Sequence, residues 1–118
     1  MTLATGGANS LSIYFADGTG ADSENEGSIS YDHGNDGMTF GTNHATRLKI
    51  DSSGHVTPNV NNTQDLGSST KRWANVYAGD LHLKNETGDW TVVEGEEELF
   101  LHNNLTGKKY AIMMREIE

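Results

Sequence analysis

Three short stretches of this chain repeat one turn signature: Asp51-Ser-Ser-Gly54, Asn85-Glu-Thr-Gly88 and Asn104-Leu-Thr-Gly107. Each reads Asx-x-Ser/Thr-Gly, and each separates runs in which apolar and polar residues alternate. The Asx side chain accepts hydrogen bonds from backbone amides two residues on. A glycine at the fourth place supplies the positive φ that closes a type I turn with a bulge. Asn35-Asp36-Gly37 is a tighter turn of the same kind. A chain punctuated in this way doubles back on itself repeatedly and builds hairpins.

The runs between the turns have the two-residue period of half-buried strands. Residues 11–15, 28–32, 38–42, 47–51, 80–84, 89–94, 98–103 and 109–114 each read as one. The pairs Ile29/Tyr31, Leu48/Ile50, Leu81/Leu83, Trp90/Val92 and Leu99/Leu101, and the triple Tyr110/Ile112/Met114, each line one face. Val56 resumes the apolar face of the 47–51 strand after the Asp51–Gly54 turn. One helical turn is expected within 68–78, where a serine cap precedes Trp73, Val76 and Tyr77 at i, i+3, i+4 spacing. The expected class is all-β, made of short antiparallel strands and hairpins. Two lobes are expected, 1–57 and 67–118, joined by a connector at 58–66 that holds the only proline. Residues 16–27 form a polar loop.

Such a pattern has to bury something, and here composition matters. Leu, Ile, Val and Phe together supply only 22 of 118 residues. Chains below roughly 20% in these residues with high net charge border on disorder. The regular turns and the two Trp and four Tyr argue for folding instead. Copies of the chain sharing one core reconcile the two, because association supplies burial that a single copy lacks.

The charge balance, 17 acids against 8 bases for a net −9, disfavours nucleic acid, whose binding draws on clustered Lys and Arg. It equally disfavours an anionic membrane surface. No apolar run approaches the ~18 residues of a spanning helix, and the N-terminus lacks the order of a signal peptide. Without cysteine there is no disulfide framework and no thiolate chemistry.

No catalytic or cofactor motif stands out. His33, His44 and His55 fall near turns and form no H-x-H or H-E-x-x-H set. His82 and His102 lie on strands opposite the leucine faces, and a three-fold assembly with those faces outward could bring one from each chain to the axis. The stretch Asp17 to Glu24 fails the EF-hand pattern, with Thr19 and Ala21 where oxygen ligands belong. Glu94, Glu96, Glu97 and Glu98 read as a solvated rim. The serines lack a nucleophile elbow. No cofactor, metal or catalytic residue is expected, and the chain is read as no enzyme.

Two stretches resemble a known family. Residues 27–56, GSISYDHGNDGMTFGTNHATRLKIDSSGHV, are similar to a recurring segment of bacteriophage tail-fibre and tailspike proteins. Residues 63–81, TQDLGSSTKRWANVYAGDL, resemble the Leu-Gly-Ser, Arg-Trp, hydrophobic-Tyr motif of the same proteins. The tail from Asp89 looks like the C-terminal ends of structural proteins from marine tailed phages, cyanophages in particular. The resemblance implies a virion structural protein assembled in the host cytoplasm, a homotrimer with an intertwined or β-prism-like core that bears on other virion proteins. It implies trimer packing through Trp73, Val76, Tyr77, Leu81, Leu83 and Trp90, with Arg72 as an inter-chain ion-pair donor. Host-surface glycan or protein would be met by loops at 16–27, 33–37 and 103–107. The alternative role is a capsid decoration or head-fibre protein. Two departures stand out: His55-Val56-Thr57-Pro58 replaces the family's usual Gly-Ile-Gly continuation, and the self-cleaving chaperone domain does not follow.

Overall fold

Strands dominate a computed structural model of the chain, which describes residues 9–20 and 23–117. The first five strands are β1 (Ser10–Phe15), β2 (Gly27–Asp32), β3 (Gly37–Thr42), β4 (Ala45–Ile50) and β5 (Val56–Pro58). They pair in chain order as an antiparallel meander. Four more, β6 (Leu81–Lys84), β7 (Asp89–Glu94), β8 (Leu99–Asn103) and β9 (Lys109–Ala111), form a second meander, also in chain order. Every described pairing is antiparallel. The chain divides into two compact units, Met1–Ser69 and Thr70–Glu118, each holding one sheet.

No helix occurs among the described residues, and the helical turn expected within 68–78 is absent. The physical reason is local. Residues 70–80 are all exposed, and an isolated turn with no face to pack against cannot repay the ordering of its backbone. The strand expected at 109–114 stops at Ala111, although Ile112 still donates its N–H to Leu99 O at 3.0 Å.

The three look-alike turns fold in three ways. At Asp51–Gly54 the expectation holds. Asp51 Oδ1 accepts from the amides of Ser53 and His55, both at 2.9 Å, and Gly54 has φ 85°. In the β8–β9 turn Gly107 has φ 70°, but the capping side chain is Asn103, whose Oδ1 accepts from Leu105 and Thr106 N–H at 3.1 Å. Asn104 is released to bond elsewhere. At Asn85–Gly88 the Asn85 Oδ1 accepts from Thr87 N–H and Gly88 N–H at 2.9 and 2.8 Å, yet Gly88 keeps a negative φ. Hence Gly54→Ala and Gly107→Ala should each cost about 1–2 kcal/mol, because a Cβ is strained in the left-handed region. Gly88→Ala should be close to neutral, and denaturant midpoints of the three variants check the contrast.

One further turn departs from its expected form, and another carries no turn signature in the sequence. In the β2–β3 connection Asp36 takes the positive φ (52°) rather than Gly37, and Tyr31 Oη donates to its carboxylate at 2.9 Å. The β3–β4 hairpin turns on Asn43 and His44, with φ 50° and 58°, the two left-handed residues of a type I′ turn. Across it, Arg47 bulges out of register beside Gly41.

Candidate assembly faces

Cross-strand register sorts the first sheet into two chemically distinct faces. One row runs Leu11, Tyr31, Met38, Ile50, Val56 across all five strands, and the next runs Ile13, Ile29, Phe40, Leu48, Pro58. Directly paired residues in an antiparallel sheet point to the same side, so both rows form one continuous apolar face. On the reverse, Ser12, Ser30, Thr39, Lys49 and Thr57 make a polar row, tied at one end by a 2.7 Å Ser12–Ser30 hydroxyl bond.

The second sheet has the same division with a more elaborate polar side. Leu81, Val92, Leu101 and Tyr110 form one apolar row and Leu83 with Trp90 the next. The Trp90 and Tyr110 rings meet with centroids 5.8 Å apart. On the reverse, Val93, Phe100 and Ala111 form a small apolar row beside His82, Thr91, His102 and Lys109.

A polar corner locks the start of β7 on that reverse side. Thr91, 5% exposed, is the one buried residue among those described. Its hydroxyl accepts from Asn104 Nδ2 at 2.9 Å and lies 3.2 Å from His82 Nδ1. Asn104 Nδ2 also donates to Asp89 Oδ1 at 2.7 Å, while Lys84 Nζ donates to Asp89 Oδ2 at 2.6 Å. The Lys84 ammonium, the Asn104 amide and the nearby charges of Lys84 and His82 hold the Asp89 carboxyl below its ordinary value of 3.8. A depressed carboxylate stabilises the fold fully above its ordinary value, and the contribution is lost as pH falls below that value and through the lower folded-state one. The melting temperature of the second unit should therefore drop as pH falls below 3.8, and Asp89→Asn should flatten that dependence. Both tryptophans, Trp73 and Trp90, lie in this unit, so indole fluorescence reports it selectively.

Neither apolar face is covered. Among the described residues no apolar side chain is buried. The chain exposes 10122 Å². A compact protein of its mass exposes about 6,300 Å², and two separately compact units of these sizes about 7,500 Å². The chain's area exceeds both figures.

The sequence-predicted packing residues are distributed unevenly over these faces. Leu81, Leu83 and Trp90 lie together on the apolar side of the second sheet. Trp73, Val76 and Tyr77 sit in the irregular 70–80 segment, exposed at 62%, 70% and 94%. The turn residues Asp51, Gly54, Asn85, Gly88 and Gly107 stand at hairpin ends, whereas Asn104 belongs to the polar corner. The corner escaped the sequence reading, since Asp89 and Asn104 meet only when β7 pairs with β8.

The remaining candidate groups disperse. His33 stacks edge-on against Tyr31 with centroids 4.9 Å apart. His44 contacts Asn25 Oδ1 at 3.0 Å and Glu26 at 3.2 Å, and His55 meets Asp51 at 3.1 Å. Among the described residues no three His, Asp or Glu side chains are grouped to hold a metal. Within the Asp17–Glu24 stretch, Ala21 and Asp22 lie outside the described residues. No family model, curated protein or solved structure matches the chain.

Proposed function

We propose that this chain is a non-enzymatic structural protein of a phage virion, a module of a homotrimeric tail fibre or spike that contributes to host-surface attachment. The observation that carries the reading is the pair of apolar sheet faces with no buried apolar residue behind either. Three copies around a common axis, each turning these faces inward, would bury them in a shared β-prism-like core and leave the reverse faces of both sheets wet. The sequence resemblance at residues 27–56 and 63–81 supports the virion assignment. It is in keeping with a surface of net −9, which favours solubility over phosphate binding.

Molar mass by light scattering tests the assembly. Three times the 12.8 kDa chain mass is expected, and a folded species near 12.8 kDa sinks the shared core. Labelled electron microscopy of particles tests the location. Label confined to fibres agrees with the proposal, while label over the whole shell makes the protein a capsid decoration.

A further inference from the structure

We propose that residues 112–117 form an arm that docks in the apolar groove at the start of the second sheet of a neighbouring copy, exchanged cyclically around the assembly. This rests on the homotrimer reading and names the element that closes it.

Arm and groove are both uncovered. The groove is lined by Val76, Ala78, Leu81, Val92 and Leu99, together with the carboxylate residues Asp80 and Glu94. Glu96, Glu97 and Glu98 follow in the exposed β7–β8 turn. The arm carries Ile112, Met113, Met114 and Ile117 around one cation, Arg115, and one carboxylate, Glu116, its neighbour in the chain. Neither Arg115 nor these carboxylates has an ion-pair partner among the described residues.

The exposure of the arm alternates. Met113 and Ile117 are 95% and 81% exposed, against 37% and 59% for Ile112 and Met114. An extended segment places residues 113, 115 and 117 on one side. The side turned furthest from the chain thus presents apolar, cation, apolar, which complements an apolar groove that includes two carboxylates. Methionine adapts readily to such a slot.

The exit point is suitable. Ile112 N–H bonds to the carbonyl of Leu99, itself a groove residue, so the arm leaves at the groove's end of the sheet. From β9 to β6 is three strand spacings, about 14 Å, and five extended residues reach about 17 Å. The chain's own groove is therefore within reach, yet none of residues 112–117 lines it in the single chain. A second copy is the occupant, in a head-to-tail contact that a cyclic trimer closes.

The chain has no cysteine, so engineered pairs report cleanly. Met113→Cys and Val76→Cys placed together in one chain, then oxidised, should yield covalent multimers on non-reducing gels. Mixing the two single variants should yield cross-linked dimers. Arg115→Glu in the double variant should lower the yield about two- to fivefold, the range of an exposed ion pair. An intrachain disulfide alone, or a trimer of unchanged mass that forms no interchain bond, overturns arm exchange while sparing the homotrimer. A yield indifferent to Arg115→Glu overturns the charge match, and a monomeric parent chain overturns arm and homotrimer together.

Discussion

Phe40→Asp is expected to reduce the assembly to single chains, with the light-scattering mass falling threefold. Phe40 stands on β3 between Ile29 and Leu48, at the middle of the apolar face of the five-stranded sheet. In the single chain it is only half-buried, so a carboxylate there stays wet and costs little. In a core shared by three copies the same carboxylate, and its two symmetry mates, would be stripped of water without partners, at several kcal/mol each. Thr39→Asp provides the control, one residue away on the polar face between Ser30 and Lys49. Its mass should remain that of the parent. A Phe40→Asp protein that keeps the parent mass, or a Thr39→Asp protein that loses it, would mean that the apolar face is not the interface.

The second large effect is expected at Trp73. It lies in the irregular segment of the second unit and is 62% exposed in the single chain. Surface substitutions away from special features usually change stability by under about 0.5 kcal/mol. Truncating a tryptophan that is buried between copies costs roughly 3–5 kcal/mol per chain. Trp73→Ala should therefore lower the melting temperature sharply and favour dissociation at low concentration. A melting temperature equal to the parent's would place Trp73 outside any interface. Tyr77, at 94% exposure, offers the same comparison with a smaller side chain.

The strands were legible because a two-residue alternation leaves little choice of structure. Leu48/Ile50, Leu81/Leu83 and Trp90/Val92 share faces as expected, and the all-β class follows from these runs and the turns between them. Turn chemistry was legible only where a single local interaction decides it, as at Asp51–Gly54. Where two Asn residues stand side by side, Asn103 and Asn104, the sequence pattern assigned the cap to the wrong one. Asn104 is drawn away by Asp89 and Thr91, partners 15 and 13 residues distant. The Asn43–His44 turn went unread because it has no glycine: Asn and His enter the left-handed region more readily than most residues but do not demand it, and the pairing of β3 and β4 fixes them there. The candidate faces were legible as alternation within each strand, but their continuity across five strands depends on register.

By itself, then, the sequence determined what each short segment does: where strands run, where they reverse, and that the apolar residues are too few for an ordinary core. These are properties of neighbours along the chain, set by backbone sterics and side-chain period. The tertiary structure decided the meander order of each sheet, the register that merges ten side chains into one apolar face, and the corner that buries Thr91. It also decided that both apolar faces stay uncovered. Register and burial depend on groups far apart in the chain, and no local pattern encodes which of them meet.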